Sequence, residues 1–283
     1  PCSRSHHLQG PFWRVVNLLV IETPVTPAAR FEGGPAAREA SGEATGKRGN
    51  VVATSSAGVA IGVMVSTATI AQTVRMGTEG AYPPYNFIND SGDVDGFERE
   101  VGDELCKRAN LTCEWVVNEW DSIIPNLVSG NYDTIIAGMS ITEERQKVID
   151  FTEEYYPADP SSFVGLAGAG DAVTEGVVAA QTATIHAGHV ASSGATLVEF
   201  ATAEETIAAV RNGEADAVLA DSGYLKPIVG ESNGTLVFVG NQVQIGGGVG
   251  MGMRKSDGAL RAKLNAAIAS VKSEGILNKM IAK

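Results

Sequence analysis

A strand, an acidic residue and a proline-containing turn follow one another in the segment Val74-Arg75-Met76-Gly77-Thr78-Glu79-Gly80-Ala81-Tyr82-Pro83-Pro84-Tyr85-Asn86-Phe87. The apolar spacing of residues 74–78 predicts a strand, and Glu79 follows at its end. A carboxylate in that position can pair with the guanidinium or ammonium group of a ligand. Alternatively, Glu79 accepts backbone N–H groups of the turn at Gly80.

Downstream of this segment, predicted strands alternate with predicted helices, which favours an α/β fold whose sheets are covered on both faces. Strands are predicted at residues 112–117, 133–137, 162–166, 183–186, 196–200, 217–220, 236–239 and 246–253. Helices are predicted at residues 97–109, 122–129, 142–148, from about 191, 203–212, 260–271 and from 276. The 212 residues after Ala71 suffice for two lobes of about 100 residues each.

The segment Met139-Ser140-Ile141-Thr142-Glu143-Glu144-Arg145 combines a helix start with an arginine. Ser140 followed three residues later by Glu143 is typical of a capping box, so we expect the helix to begin after Ser140. A helix N-terminus attracts anions, and the guanidinium of Arg145 can bind a carboxylate through two parallel hydrogen bonds. The alternative is a surface helix with a solvated arginine.

The charge is distributed unevenly along the chain. Residues 1–71 carry six Lys/Arg and four Asp/Glu, whereas residues 72–283 carry fifteen and twenty-nine, a net charge of −14. An acidic body of this kind repels phosphate, which argues against a nucleic-acid or anionic-membrane partner.

Further motifs accompany these two segments in a fixed order. They are Gly96-Phe97, Glu104-Leu105-Cys106-Lys107-Arg108, Asp121-Ser122-Ile123-Ile124-Pro125, Asp150-Phe151-Thr152, Asp216-Ala217-Val218-Leu219-Ala220-Asp221 and Gly250-Met251-Gly252-Met253-Arg254-Lys255. With them, residues 73–283 resemble the periplasmic polar amino-acid-binding proteins of ABC importers, most of all the lysine/arginine/ornithine and opine binders. The resemblance implies a two-lobed periplasmic-binding-protein fold of type II, with two hinge crossings and a ligand cleft between the lobes.

The resemblance also implies where the lobes begin and end. We assign residues 72–158 and 247–283 to lobe 1 and residues 159–246 to lobe 2, with crossings near residues 156–161 and 242–248. The three glycines at residues 246–248 offer little resistance to the φ/ψ changes of a hinge. Alternatively, they belong to a strand that needs close backbone packing.

A ligand site follows residue by residue from the resemblance. Arg145, Ser140 and the backbone N–H of Gly138 are expected to hold the α-carboxylate of an amino acid. Asp221 is expected to accept hydrogen bonds from the α-ammonium group. Alternatively, Asp221 caps the helix that begins at Ser222.

Tyr82 and Trp120 resemble the aromatic pair that encloses the ligand side chain, where each ring contributes about 0.5–2 kcal/mol of attraction to a cation. Trp120 could instead pack in the core. Glu79 is expected to select a basic side chain, because a neutral ligand would leave a buried carboxylate unmatched.

The second-lobe turn is predicted at Gly188-His189-Val190, where relatives commonly have a glycine followed by threonines. Val190 has no hydroxyl, so its backbone N–H or the side chain of His189 would contact the ligand. His186 and His189 are spaced like a metal pair, but the sequence places no further Cys or His nearby. An exposed turn histidine is favoured over a ligand-lining one. We predict neither metal nor cofactor.

Two cysteines, Cys106 and Cys113, lie seven residues apart near a predicted helix end and the next strand. The resemblance implies a disulfide at this position, which would contribute about 2–3 kcal/mol in the chain-entropy model. Two buried free thiols are the alternative.

The first 71 residues lie outside the resemblance. We expect disorder in residues 1–46, which mix Pro, Gly, Arg and Glu without periodicity. Residues 47–71 resemble a secretory signal peptide that is cleaved after Ala71 and directs the protein to the periplasm, although a membrane-spanning helix is the rival interpretation.

The sequence therefore predicts a monomeric binding protein without catalytic activity, which closes on a free amino acid and presents it to an ABC permease of the inner membrane. The expected ligand is arginine, ornithine, lysine or an opine. A cyclohexadienyl or arogenate dehydratase-like enzyme on the same fold is one alternative, because fold alone does not separate the two classes. A binder of glutamine or another polar amino acid is the other.

Overall fold

A computed structural model describes residues 72–282 of the chain. The predicted extension at residues 1–46 and the signal-like segment at residues 47–71 lie outside the described residues. Within residues 72–282, no helix is both long and apolar enough to cross a membrane.

The described residues form strands and helices in regular alternation. The strands are β1 Gln72–Thr78, β2 Ala81–Tyr82, β3 Asn86–Ile88, β4 Val94–Asp95, β5 Leu111–Val117, β6 Thr134–Ile135, β7 Asp150–Tyr156, β8 Ser161–Leu166, β9 Val177–Gln181, β10 Thr196–Phe200, β11 Ala217–Asp221, β12 Leu236–Val243 and β13 Val249–Met253. The α-helices are α1 Phe97–Arg108, α2 Ile123–Val128, α3 Glu143–Val148, α4 Ile185–Ser193, α5 Ala203–Asn212, α6 Ser222–Glu231, α7 Gly258–Ser273 and α8 Ile276–Ile281. Short 3-10 helices lie at Trp120–Ser122 and Asp171–Glu175.

Two five-stranded sheets organise these elements into two lobes. Lobe 1 is built on the sheet β5-β1-β6-β13-β7, in which β1 is parallel to β5 and β6 while β13 is antiparallel to β6 and β7. Lobe 2 is built on the sheet β10-β9-β11-β8-β12, in which β9 is parallel to β10 and β11 while β8 is antiparallel to β11 and β12. The chain passes from lobe 1 to lobe 2 between β7 and β8 and returns between β12 and β13.

Both faces of each sheet are buried, as expected when helices cover a sheet on two sides. Along β11, Val218 and Ala220 belong to one apolar cluster, whereas Ala217 and Leu219 belong to another on the opposite face. In β1 a glycine is required at residue 77, because a Cβ atom there would lie 2.6 Å from the ring of Tyr132.

The helix that carries Arg145 begins later than predicted. Thr142 caps α3 by accepting a hydrogen bond from the backbone N–H of Arg145 at 3.2 Å, so the predicted capping box at Ser140 is wrong. Ser140 is instead held extended by a bridge to Val249 of the return strand. That pairing delays the first helical residue to Glu143.

Two other predictions concern local structure. Cys106 at the end of α1 and Cys113 in β5 form the predicted disulfide, with Cα atoms 6.2 Å apart. Among the three glycines, a Cβ on Gly247 would lie 2.9 Å from the carbonyl oxygen of Ile141, and one on Gly248 would collide with Glu154. Close packing therefore explains both positions, against the backbone of Ile141 for Gly247 and against the side chain of Glu154 for Gly248, while Gly246 adopts a positive φ of 72°.

Candidate ligand-binding site

The candidate site lies where the parallel strands of both sheets end. Glu79 follows β1, Gly138 lies shortly after β6, Gln181 ends β9 and Asp221 ends β11. Ligand sites of α/β sheets form at the carboxyl ends of their strands. Lobe 1 lines one cavity with Glu79, Tyr82, Trp120, Ala137, Gly138, Ser140 and Arg145, and lobe 2 lines it with Gln181, Thr184, Ile185, His186, Ala203, Thr206, Leu219, Ala220 and Asp221.

Arg145 is the cation of this cavity. Its Nη1 donates to the carbonyl oxygen of Ser140 at 2.9 Å, and its guanidinium carbon lies 5.3 Å from the ring centre of Trp120. Burial lowers the pKa of Arg145 to about 10, and the negative charge of the nearby Asp221 acts in the opposite direction. The side chain is still charged at neutral pH, and no carboxylate of the described residues lies within 4.0 Å of it. Apart from the bond to Ser140, the guanidinium N–H groups of Arg145 have no hydrogen-bond acceptor among residues 72–282.

Asp221 contributes a negative charge from lobe 2. Its Oδ2 accepts a hydrogen bond from the Tyr82 hydroxyl at 2.9 Å, and its Oδ1 lies 3.4 Å from Nε2 of His186. Burial tends to raise the pKa of Asp221, but His186, Tyr82 and Arg145 outweigh it and hold the pKa below its usual value. Asp221 occupies the N-cap position of α6 without a side-chain capping bond, so the predicted alternative role as a helix cap is wrong for its carboxylate.

Glu79 is a second carboxylate of the cavity and is only 8% exposed. Its Oε1 accepts a hydrogen bond from Nε2 of Gln181 at 2.6 Å. Burial raises the pKa of Glu79 to about 7; the hydrogen bond from Gln181 opposes this shift, and the charge of Glu98 adds to it. The backbone N–H of Gly80 donates to Asn86 instead, so the alternative role of Glu79 in the turn is wrong.

The two predicted aromatic residues both line the cavity, but each also packs elsewhere. The Tyr82 ring stacks on Tyr224 of lobe 2, with centroids 4.2 Å apart and planes 9° apart. Trp120 belongs to an apolar cluster of lobe 1, and its Nε1 donates to the carbonyl oxygen of Ala183 at 3.4 Å. The side chain of Trp120 therefore packs in the core of lobe 1 and also lines the cavity.

The backbone N–H of Gly138 has a different partner from the one predicted. It donates to Oε1 of Glu98 at 2.6 Å. Glu98 is 1% exposed and also accepts hydrogen bonds from Asn86 and from the hydroxyl of Tyr155. A buried carboxylate needs several donors, and this N–H supplies one of them inside lobe 1. Gly138 still lines the cavity, and the donation of its N–H to a ligand stays a prediction.

The second-lobe turn lies earlier than predicted. Val190 is 1% exposed in the core of lobe 2, and His189 is absent from the cavity lining, so the predicted ligand contacts of both are wrong. The strand predicted at residues 183–186 is wrong as well, because β9 ends at Gln181. The turn at residues 182–184 leads into α4, whose N-cap Thr184 accepts from the backbone N–H of Ala187 at 3.1 Å.

Four of the lobe 2 site residues that sequence reasoning missed or left undecided belong to this segment: Gln181, Thr184, Ile185 and His186. Two signals in the sequence point to them. A run of apolar residues ends at Gln181, as a buried strand does, and Thr184 is a preferred N-cap residue type.

Comparisons with known proteins identify the family. A model of the bacterial extracellular solute-binding proteins, family 3, matches residues 74–283. The L-arginine-binding protein of Pseudomonas aeruginosa is 34% identical in an alignment that covers 71% of this chain and 83% of that protein. The lysine/arginine/ornithine-binding periplasmic protein of Escherichia coli is 32% identical in an alignment that covers 77% of this chain and 89% of that protein. A crystal structure of a periplasmic His/Glu/Gln/Arg/opine family-binding protein from Silicibacter pomeroyi, in complex with lysine, is 73% identical, with a TM-score of 0.72 over 74% of this chain and 94% of that one. Because the family model covers most of the chain and agrees with the two-lobed architecture, this chain belongs to the bacterial extracellular solute-binding proteins, family 3.

Proposed function

We propose that this solute-binding protein captures a free basic amino acid between its lobes. The observation that carries the proposal is the charge arrangement of the cavity: Arg145 of lobe 1 has no carboxylate partner among residues 72–282, and Asp221 of lobe 2 lines the same space. The α-carboxylate of an amino acid matches the guanidinium, and its α-ammonium group matches the aspartate. Two opposite charges supplied by two lobes suit a zwitterion.

Glu79 supports a basic side chain on the ligand. Its buried carboxylate has a neutral amide partner, Gln181, and its pKa is raised because burial disfavours the ionised form; among residues 72–282 no Lys, Arg or His forms an ion pair with it. A guanidinium or ammonium group at the far end of the ligand would pair with the ionised form. Similar proteins are named for arginine and for lysine/arginine/ornithine, and a 73% identical protein crystallised with lysine.

Closure of the lobes would couple these contacts. Hydrogen bonds between three residue pairs join the lobes directly at the cavity: Gln181 donates to Glu79, Trp120 donates to Ala183, and the Tyr82 hydroxyl both donates to the Asp221 carboxylate and accepts from the Asp221 backbone N–H. A ligand that contacts both lobes shifts the population toward the closed form, because it makes all of its contacts only there. We place the lobe borders at residues 158/159 and 246/247, within the two connections between the sheets.

The same proposal includes the cellular role. The protein acts in the periplasm after removal of the segment that ends at Ala71, works as a monomer and delivers its ligand to an ABC permease of the inner membrane. It performs no catalysis, so Glu79 serves as a binding group and not as a catalytic acid. The similarity to periplasmic binding proteins supports this part of the proposal.

A ligand screen on the purified protein tests the proposal. Arginine, ornithine and lysine at about 100 times the dissociation constant should each raise Tm by about 5–10 °C, and calorimetry then ranks them against glutamine and octopine. Mass spectrometry of the released ligand should recover it unchanged. Tighter binding of glutamine than of any basic amino acid would overturn the predicted specificity, and conversion of the ligand would overturn the absence of catalysis.

A further inference from the structure

His186 lies in the first turn of α4 and is only 6% exposed. Its Nε2 lies 3.0 Å from Oγ of Ser161 and 3.4 Å from Oδ1 of Asp221. Ser161 and Asp221 are directly opposite each other on the antiparallel strands β8 and β11. Opposite residues project from the same face of a sheet, so a single imidazole nitrogen can reach both side chains.

Ser161 connects this contact to the crossing between the lobes. It is the first residue of β8, is fully buried and follows residues 157–160, which lead from lobe 1 into lobe 2. Ser222, which follows Asp221, donates its hydroxyl to the carbonyl oxygen of Pro160 at 2.5 Å. The next residue, Gly223, donates its N–H to Asp159 at 2.7 Å. Asp221 and the crossing are therefore held together by adjacent contacts.

The proton on Nε2 decides whether the contact with Asp221 is attractive. The hydroxyl of Ser161 can donate or accept, whereas an ionised carboxylate only accepts, so we assign the hydrogen of the neutral ring to Nε2, the tautomer that suits both partners. Nδ1 is then the nitrogen that takes up a second proton. Protonation turns a neutral donor beside Asp221 into a cation beside Asp221.

We propose that His186 is a positioning residue for Asp221 and that its protonation weakens ligand binding, because the imidazolium competes with the ligand's α-ammonium group for one carboxylate. This inference rests on the proposed function, since it takes Asp221 as the amine-binding group. Neutral His186 orients one carboxylate oxygen, and Tyr82 of lobe 1 orients the other. A charged His186 neutralises the carboxylate and repels a second cation in a poorly hydrated cavity.

Other ionisable groups surround this pair and respond differently to pH. In the described part of the chain they are Glu79, Tyr82 and Arg145 in the cavity lining and Asp159 next to the crossing. Arg145 keeps its charge between pH 5 and pH 8, whereas Glu79 changes charge near pH 7. A test of His186 therefore has to hold Glu79 constant. His189 is a second titratable residue of α4, outside the cavity lining, and provides a control.

Calorimetric titration with arginine at pH 8 and pH 5.5 tests the inference. His186→Gln replaces the Nε2 donor with an amide that does not titrate. At pH 8 this variant should bind arginine about threefold more weakly than the wild-type protein, because a flexible amide positions Asp221 less firmly than the imidazole does. Between pH 8 and pH 5.5 it should lose about tenfold less affinity than the wild type loses. Glu79 is present in both proteins, so its own pH dependence cancels in the comparison. His186→Leu, which has no donor, should bind about tenfold more weakly already at pH 8.

His189→Gln is the matched control, three residues further along α4, and should lose as much affinity at low pH as the wild type. Equal losses for wild type and His186→Gln, or a reduced loss for His189→Gln, would overturn the role of His186. Should His186→Gln fail to fold, the wild type is titrated with 5-guanidinopentanoate, which lacks the α-amine and should lose about tenfold less affinity than arginine at pH 5.5. Equal losses for the two ligands would also overturn the inference. Absence of arginine binding at pH 8 would contradict the proposed function instead.

Discussion

Arg145 of lobe 1 and Asp221 of lobe 2 bring opposite charges to the same cavity, and they differ in how far these charges are already satisfied. In the described residues, the guanidinium of Arg145 in lobe 1 makes one hydrogen bond, to Ser140, and has no carboxylate within 4.0 Å. Asp221 in lobe 2 has a donor near each oxygen, His186 at one and Tyr82 at the other. A ligand carboxylate would therefore supply an ion pair that the protein lacks, whereas a ligand amine would share an acceptor that is already in use.

This difference implies that the two ends of an amino-acid ligand contribute unequally. Truncating one member of a buried, hydrogen-bonded charge pair costs about 2–5 kcal/mol or more, with the larger values where the remaining charge has no other partner. We therefore expect the guanidinium of lobe 1 to matter more than the carboxylate of lobe 2.

Arg145→Ala should have the largest effect, a loss of arginine affinity on the order of 1000-fold by calorimetry, because a ligand carboxylate would be buried without its cation. The folded state should tolerate the change, since removal of a partly buried cation without a carboxylate partner leaves no protein charge unpaired.

Arg99→Ala is a matched control for this variant. Arg99 also lies over a tryptophan, 5.4 Å from the ring centre of Trp115, but it pairs with Asp103 at 2.7 Å and does not line the cavity. It should bind arginine like the wild type. Similar affinities for Arg145→Ala and Arg99→Ala would remove Arg145 from the site and reverse the comparison between the lobes.

Asp221→Asn should weaken arginine binding by about 100-fold, less than Arg145→Ala, because the amide oxygen still accepts a hydrogen bond from the α-ammonium group while the charge is lost. Calorimetry on both variants at pH 8 gives the ratio directly. Asp121→Asn, an exposed residue of lobe 1, serves as the control and should leave the affinity unchanged. A larger loss for Asp221→Asn than for Arg145→Ala would mean that lobe 2, not lobe 1, dominates recognition.

The lobes also differ in how much of them follows from sequence. The α/β class, the two lobes and the family are confirmed, and in lobe 1 the predicted residues from Glu79 to Arg145 all line one cavity. These residues stand directly after strands or in short segments of distinctive composition, so local sequence is enough to find them.

The turn of lobe 2 was predicted at the wrong residues because the glycine that usually marks such a turn is missing. Ala183 has a φ of 58°, in the left-handed region where glycine is the common residue. The nearest glycine in the sequence is Gly188, and the prediction moved the turn there, onto α4. Only the fold shows that an alanine adopts this conformation, in a turn where its carbonyl oxygen accepts a hydrogen bond from Trp120 of the other lobe.

Contacts between distant parts of the chain set two features of lobe 1 that the local sequence does not show. Ser140 was predicted to cap a helix, but it pairs with Val249, more than one hundred residues later. The N–H of Gly138 was predicted to face a ligand, but it donates to Glu98, forty residues earlier. Neither partner is identifiable from the local sequence.

Glu79→Gln should reduce arginine affinity by about tenfold at pH 8 and leave glutamine affinity nearly unchanged. In the wild type, a cationic ligand favours ionised Glu79, so arginine affinity should fall as the pH drops through about 7, and this part of the fall should be absent in the variant. Calorimetry with both ligands at pH 8 and pH 6 measures both effects. Glu199→Gln, on the surface of lobe 2, is the control. Equal weakening of arginine and glutamine would show that Glu79 acts without regard to the ligand's side chain.

The same variant should have the opposite effect on the ligand-free protein. The pKa of Glu79 is higher when folded, about 7, than its ordinary value of 4.5, so the folded state binds more protons and its stability declines as the pH rises between these values. Glu79→Gln removes this penalty and should raise Tm by about 2–4 °C at pH 8, with no gain at pH 4. A lower Tm at pH 8 would mean that the hydrogen bond from Gln181 outweighs the cost of burying the charge.

Tyr82→Phe should have the smallest effect and tests whether contact between the lobes supports Asp221. The Tyr82 hydroxyl donates to Oδ2 of Asp221 and accepts from its backbone N–H at 3.3 Å, while its ring stacks on Tyr224. Phenylalanine keeps the stacking but removes both hydrogen bonds, so arginine should bind about fivefold more weakly. Tyr224→Phe is the matched control, because it alters the other ring of the same stack and its hydroxyl makes no hydrogen bond to the described residues. If Tyr82→Phe and Tyr224→Phe bind arginine equally well, lobe 2 holds the carboxylate of Asp221 without help from lobe 1. The difference between Arg145 and Asp221 would then arise within each lobe separately.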